Sequence, residues 1–434
     1  MRRLLLIPVL LAASTATAQD TTTQAAKLTD AVTQQVTTWR RDIHQHPELG
    51  NREFRTSKLV AAQLRALGME VKTDIAHTGV VGILRGGKPG PRIALRADMD
   101  ALPVTEQSDL PFASKATTDF RGEKVGVMHA CGHDSHTAML MGVATALASM
   151  KKDLPGEVMF VFQPAEEGPP DGETGGASAM LAEGLFRDFK PAAVFGLHVW
   201  SSLNAGQIGY RSGPAMAASD RFHIVVKGVQ THGSRPWGGV DPIVTAADLI
   251  ATAQNIVSRR IDITRQPAVL TFGAIKGGIR YNIIPEEVDL IGTIRTFDPA
   301  MRQQIFDELK NVSEHVAAAN GATVITQIPD TDGTPLMAND PALTARSLPS
   351  LQRAVGAANV VEMSLITGAE DFSHYSNQVP GFYFFVGATP PGQVAAKAPS
   401  NHSPKFFLDE TALAVGTRAM LQVSLDYLNG GAVD

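Results

Sequence analysis

Between Gln19 and about Ala218, short apolar runs alternate with helical segments, the rhythm of a largely parallel β-sheet covered by helices. Val80–Leu84, Arg92–Ala97, Glu157–Gln163 and Ala192–Leu197 read as strands. Thr56–Leu67 and Ser135–Met150 read as helices, the second carrying Ala, Met and Leu at helical spacing. The rhythm then changes. Arg221–Lys227 reads as a strand, Asp241–Arg260 as a helix, Ala268–Ile275 and Val288–Thr296 as strands, Arg302–Asn320 as a helix and Ala322–Ile328 as a strand. That β-α-β-β-α-β order is the pattern of a small two-layer α+β domain. From about Gly333 the first rhythm returns, with Gly381–Gly387 as a buried strand. The expected fold is an α/β domain, residues 19–217 and 333–434, interrupted by an inserted α+β domain at 218–332.

A chain of 434 residues with 44% hydrophobic and 19% charged residues can bury the cores of two or three domains. Its net charge of −5 and its 6% aromatic content exclude a nucleic-acid partner, because such binders concentrate basic charge and stacking rings. The N-terminus has the pattern of an export leader, residues 1–18: Arg2 and Arg3, an apolar stretch from Leu4 to Ala13, and the small-residue site Ala16-Thr17-Ala18. Cleavage near Ala18 would deliver the chain to the periplasm or the medium. No membrane anchor is expected, since the apolar stretch is shorter than the ~20 residues that cross a bilayer. In an oxidising compartment the single cysteine, Cys131, can form no intrachain disulfide. It is then either a buried small hydrophobe or a thiol that does chemistry.

Four stretches hold the candidate chemistry. In Met128-His129-Ala130-Cys131-Gly132-His133-Asp134-Ser135-His136, Gly132 permits a sharp turn that aims Cys131 and His133 inward. Thiolate and imidazole suit a borderline-soft ion such as zinc, and a helix N-terminus favours the thiolate. In Gln163-Pro164-Ala165-Glu166-Glu167-Gly168, two adjacent carboxylates can converge only where the strand ends and the chain bends. One glutamate then suits a metal and the other a water, as general base. His198 in Gly196-Leu197-His198-Val199-Trp200 is expected at a strand terminus, and His402 lies in Asn401-His402-Ser403-Pro404. Taken singly, each histidine reads as a satisfied structural residue and the glutamate pair as a solvated turn. Together, Cys131, His133, Glu167, His198 and His402 are too many donors for one tetrahedral site, and they fit a two-metal cluster with a shared ligand.

With His46-Pro47-Glu48-Leu49-Gly50, Leu95-Arg96-Ala97-Asp98-Met99-Asp100-Ala101-Leu102-Pro103, Arg280-Tyr281-Asn282-Ile283-Ile284-Pro285 and Gly368-Ala369-Glu370-Asp371-Phe372, these stretches resemble the M20 metallopeptidase superfamily. The likeness is to its amidohydrolase branch, which holds hippurate hydrolases, N-acyl-amino-acid amidohydrolases and auxin-conjugate hydrolases, and it runs from about His44 to His402. It implies a two-metal exopeptidase-like catalytic domain, an inserted dimerisation or lid domain, and a homodimer formed through that insertion. The resemblance also implies that Cys131, His133, Glu167, His198 and His402 hold two divalent ions, zinc or manganese, with a bridging ligand from the Cys/His turn. Glu166 matches the general base. His232, in Thr231-His232-Gly233-Ser234-Arg235-Pro236, matches a histidine that steadies the oxyanion across the dimer interface. Asn282 matches a substrate-binding residue, and Arg280 is a second candidate for a substrate carboxylate. Asp100 matches the acid that orients a metal-site histidine, while Asp98 stands where the wider superfamily has histidine. Val229-Gln230-Thr231 and Trp237 are bulkier than the family's approach to His232, and would narrow the pocket or wall it with an aromatic ring.

The implied activity is hydrolysis of the amide bond of an N-acyl-amino acid or small peptide by a metal-activated water. Three other readings stay open at this point: a cysteine hydrolase using Cys131 with His133 as base, a two-metal aminopeptidase or dipeptidase, and a non-catalytic binding protein on the same scaffold.

Overall fold

A computed structural model describes residues 10–430, with side chains from Thr21 onward. Met1–Val9 of the expected leader lie outside the described residues. Two compact units result: Met1–Gly213 with Asn339–Met363 and His374–Asp434, and Pro214–Ala338 with Ser364–Ser373. The boundaries expected at 218 and 332 fall inside the second unit. Ser364–Ser373 was expected with the catalytic domain, but it groups with the second unit because Ala217 N–H donates to the carbonyls of Ile366 and Gly368 at 3.0 Å each.

The first unit opens with α1 (Leu10–Gln45), which sequence patterning did not reveal. Its buried stripe of Ala25, Thr29, Val32, Val36, Trp39 and Ile43 has helical spacing, but it is diluted by threonines and glutamines. α2 (Phe54–Ala66), β1 (Glu70–Ile75), β2 (Gly79–Arg85) and β3 (Lys88–Asp98) follow. Next come α3 (His133–Ser149), β4 (Pro155–Gln163), β5 (Ala193–Asn204) and β6 (Ile208–Tyr210). α3 is buried on nearly every face, which is why its Ala, Met and Leu residues are not balanced by a polar side.

The second unit has the expected β-α-β-β-α-β order: β7 (Ala218–Lys227), α4 (Pro242–Asn255), β8 (Ala268–Gly277), β9 (Glu287–Thr296), α5 (Pro299–Ala319) and β10 (Thr323–Gln327). Its sheet runs β8-β9-β7-β10 with every neighbour antiparallel. Phe222, Ile224 and Val226 on β7 and Leu249 and Leu309 on the helices form its core. The helix expected through Arg260 is α-helical only to Asn255, and Ile256–Arg260 forms a π turn.

The chain then adds α6 (Pro341–Val355), β11 (Val360–Glu362), β12 (Gly381–Thr389) and α7 (Thr411–Asn429) to the first unit. Its eight-stranded sheet is ordered β1-β2-β4-β3-β5-β12-β6-β11. The sheet is mixed: the central β4-β3-β5-β12 block is parallel, while β1-β2, β2-β4 and β12-β6 are antiparallel. Parallel strands are buried on both faces, as the fully buried β12 illustrates. The strand expected to stop at Leu197 continues to Asn204, paired with β12, so His198 stands within β5. On its other edge β5 loses β3 after Gly196, which leaves His198 just beyond the last β3 pairing.

Candidate functional site

The parallel block delivers its chemistry at the C-terminal ends of its strands, where open α/β sheets form crevices. β3 ends at Asp98 and leads to Asp100, β4 ends at Gln163 and leads to Glu166 and Glu167, and β5 carries His198. Two of the connecting turns are strained at non-glycine residues. Ala165 has φ 50°, and its N–H donates to buried Glu53 Oε1 at 2.9 Å. His402 has φ 73°, and its N–H donates to the Ala130 carbonyl at 2.8 Å. Left-handed backbone at ordinary residues costs about 1–3 kcal/mol and concentrates at functional sites.

Gly132 caps α3 at φ 100°, where a Cβ would stand 2.2 Å from Val199 Cγ2. Only glycine fits that turn, and it turns the flanking Cys131 and His133 inward. Cys131 Sγ lies 3.3 Å from His198 Nε2 and 3.2 Å from His402 Nε2. His402 Nε2 is in turn 2.9 Å from Glu167 Oε1. The donor atoms of Cys131, His133 and His198 lie within 4.8 Å of one another; so do those of Cys131, Glu167 and His402, and those of His133, Glu166 and Glu167. Cys131 belongs to the first two of these sets.

Several donor atoms there lack hydrogen-bond partners. His133 Nδ1 meets Asp100 Oδ1 at 3.2 Å, whereas its buried Nε2 makes no hydrogen bond. Glu167 Oε1 makes none either, despite its closeness to His402. His198 Nδ1 donates to the Val199 carbonyl at 2.6 Å, which leaves the Nε2 lone pair facing the thiol. Buried polar atoms left without partners are costly, and a cation among them would satisfy them. The donor set of sulfur, imidazole and carboxylate is that of a transition-metal site, so the residues fit a metal centre. Asp100 also accepts the Glu167 N–H at 2.9 Å, which ties the His133 ring and the Glu167 backbone to one carboxylate.

The group Asp98, His133 and His136 is equally compact but is already satisfied internally. Asp98 takes Arg96 and His136 Nδ1 at 2.6 Å each, and His136 Nε2 accepts the Val199 N–H at 2.8 Å. His136 therefore keeps no lone pair for an ion. His129 is buried with both ring nitrogens unbonded, and burial lowers its pKa to about 3, so it stays neutral.

The electrostatics match a cation-binding pocket. Burial pushes the Cys131 thiol well up, and the Glu167 and Glu166 carboxylates push it further. Burial alone would lower His133, but Asp98 and Asp100 outweigh it and raise the group to about 10. Burial and the neighbouring His136 hold His198 well below the usual imidazole range. With a dication bound there, the deprotonated thiol and neutral imidazoles would be favoured instead. The cysteine-hydrolase reading finds little support: the thiol faces His198 and His402, while the His133 ring is engaged with Asp100 and carboxylates disfavour a thiolate.

His232, Asn282 and Arg280 lie in the second unit. Thr231–His232 pairs with Ile283–Ile284 in a two-stranded ribbon, and Gly233 N–H donates to the Asn282 carbonyl at 2.9 Å. His232 is exposed, and its Nδ1 accepts the Ser234 N–H at 3.1 Å with Ser234 Oγ at 2.8 Å. The ring proton is therefore on Nε2, which presents a donor to solvent. Asn282 Oδ1 is buried without a partner, whereas Arg280 is exposed in the neighbouring turn. Trp237 and Val229 are 77% and 54% exposed on the same unit.

Sequence reading passed over three side chains that organise the centre. Glu53 holds the Ala165 turn, His136 holds the peptide beyond His198, and Asn401 holds the Cys131 and Val199 carbonyls. His136 follows His133 by one helical turn, a spacing visible in the sequence; Glu53 and Asn401 carry no such signal.

Residues 94–426 match peptidase family M20/M25/M40. The chain is 40% identical over 391 residues to thermostable carboxypeptidase 2 of Saccharolobus solfataricus, covering 90% of this chain and 94% of that protein. It is 37% identical to N-acetyl-L-cysteine deacetylase of Bacillus subtilis, covering 86% and 83%. Among solved structures, the Bacillus subtilis YXEP protein, a dinuclear metal-binding peptidase, superposes with a TM-score of 0.75 at 34% identity, covering 92% of this chain and 99% of that one.

Proposed function

The chain belongs to peptidase family M20/M25/M40 and is a metal-binding hydrolase of amide bonds; we propose that it removes the acyl group from N-acyl-amino acids, or the C-terminal residue from small peptides, with two divalent ions, zinc or manganese. The observation that carries this reading is the pair of three-donor sets that share Cys131 Sγ, with Glu166 against the His133 side at 3.9 Å. Cys131, His133 and His198 would hold one ion, and Cys131, Glu167 and His402 the other. Bound there, the ions supply Lewis-acid polarisation of the scissile carbonyl and acidify the attacking water. Glu166 would take the proton from the attacking water and return it to the leaving nitrogen. Asp100 fixes the His133 tautomer and the Glu167 backbone together, and the Val199 carbonyl fixes the His198 tautomer.

The second unit contributes recognition in this reading. His232, with its proton on Nε2, suits the stabilisation of a tetrahedral oxyanion, a contribution typically worth a few kcal/mol. Asn282 and Arg280 suit a substrate carboxylate. By likeness to the family, His232 serves the site of a partner subunit in a homodimer. The leader-like N-terminus supports export to the periplasm or the medium. No helix among the described residues is long and apolar enough to cross a membrane.

Metal analysis together with hydrolysis of N-acetyl-amino acids, hippurate and dipeptides tests the reading. We expect cleavage of substrates with a free carboxylate and a blocked amine, abolished by chelation and restored by zinc or manganese. Activity confined to substrates with a free amine would instead establish the aminopeptidase alternative.

A further inference from the structure

We propose that Asn401 is a positioning residue that locks the two metal-ligand sets to each other through a single carboxamide. The inference rests on the ligand assignment above, but it concerns a side chain that donates nothing to an ion. Asn401 precedes His402 on the strained segment that delivers that imidazole. Its Nδ2 donates to the Cys131 carbonyl at 3.0 Å and to the Val199 carbonyl at 3.1 Å. Its Oδ1 accepts the Ser201 N–H at 3.1 Å. One planar head thereby ties the His402 segment to the Cys131 turn and to the β5 backbone beyond His198.

The Val199 carbonyl is the pivot. It also receives Nδ1–H of His198 at 2.6 Å, the bond that leaves His198 Nε2 bare toward Cys131. On the other side of Val199, its N–H is held by His136 Nε2, and His136 is held by Asp98. Asn401 thus grips from outside the acceptor that sets the His198 tautomer. The same nitrogen bonds the carbonyl of the shared ligand Cys131. Only an amide supplies two N–H donors and one acceptor in a single plane. A carboxylate of the same shape has no donor and would set a charge against two carbonyl oxygens. The strained φ of His402 calls for such support, which Asn401 supplies alongside the His402 N–H bond to the Ala130 carbonyl.

The test uses the full chain, stripped of metal, with Zn2+ alone as the probe and a chromogenic chelator as competitor. Asn401→Ala removes the clamp, and Asn401→Asp keeps its shape while removing both donors. We expect zinc affinity to fall ~10–100-fold in both, the usual cost of losing a partner that orients a ligand. The metal-free variants should still melt cooperatively, at a lower Tm than the unchanged metal-free protein, with a smaller zinc-induced rise in Tm. Folded variants with unchanged zinc affinity would overturn the proposal. So would loss of a cooperative melt in both metal-free variants, since Asn401 would then hold the fold rather than the ligands. If the unchanged protein itself bound no zinc or manganese, the ligand assignment would fall, and this inference with it.

Discussion

His402 Nε2 stands 3.2 Å from Cys131 Sγ, reaching the thiol from 271 residues further along the chain. The same sulfur faces His198 Nε2 at 3.3 Å, so one atom joins imidazoles from three separated segments once His133 is counted. In the two-ion reading proposed above, that convergence makes the thiol the ligand common to both donor sets. It also makes it a reporter of their presence.

A thiol that ligates metal is shielded by its ion, whereas a buried thiol without one is modified through transient local opening of the site. Burial and the adjacent carboxylates keep it protonated there at neutral pH, so modification should accelerate as pH rises. We therefore expect a thiol alkylator to modify chelated protein much faster than loaded protein. Mass spectrometry at Cys131 reads this directly. Equal rates for the two forms would remove Cys131 from the ligand set.

Glu166 and Glu167 are adjacent but face different side chains. Glu167 Oε1 faces His402 Nε2 at 2.9 Å, while Glu166 Oε2 lies 3.9 Å from His133 Nε2. Glu166→Ala should retain both ions and lose about two to four orders of magnitude in kcat, the usual scale of a general base. Glu167→Ala should lose metal. Metal content and single-turnover rates separate the two, and a Glu166 variant as metal-poor as the Glu167 variant would reverse the assignment.

The same residues show what the sequence could disclose. The β-α-β-β-α-β block was readable because its strands alternate buried and half-buried residues and its helices start with Asp-Pro. Asp241 accepts from the Ile243 and Val244 N–H groups, and Asp298 accepts from Met301 N–H. Gly132 was readable as a turn because no other residue tolerates its φ and its approach to Val199. α1 was not, since threonine and glutamine mask its apolar stripe. The strand position of His198 was missed because its pairing with Phe385 of β12 is set by distant sequence. Asn401 could be quoted beside His402, but its work depends on the Cys131 and Val199 carbonyls, which only the fold brings to it.

Glu53 gives the metal-free protein a pH signature. Burial raises its carboxyl to about 8, with the Asp100 charge adding to the effect, while its Oε1 holds the Ala165 N–H. Between the ordinary carboxyl pKa and about 8 the folded state keeps a proton that the unfolded state has lost. Stability contributed by this group is thus full at acid pH, declines as pH rises through that window and is level above it. Glu53→Gln retains an acceptor for Ala165 and cannot ionise. Its Tm in metal-free protein should match the parent near pH 5 and exceed it progressively towards pH 8. A gap independent of pH would show that Glu53 is ionised in both states.

His232 offers a test of whether each site is completed by a second subunit. Its Nε2–H is exposed, with Nδ1 occupied by Ser234, so in the proposed oxyanion role it could serve another chain. Glu166→Ala and His232→Ala homodimers should each be nearly inactive, one lacking the base and the other the donor. If His232 acts across a twofold interface, a hybrid dimer concentrates both lesions in one site and leaves the other intact. Equal mixing with free exchange makes about half the dimers hybrid, each with one good site, so roughly a quarter of the unmodified activity should return. If His232 acts within its own chain, every site keeps one lesion and mixing restores nothing. Co-expression with two affinity tags isolates the hybrid, and its rate decides the matter: a confirmed hybrid no more active than its parents would place His232 in its own subunit's site or outside catalysis altogether.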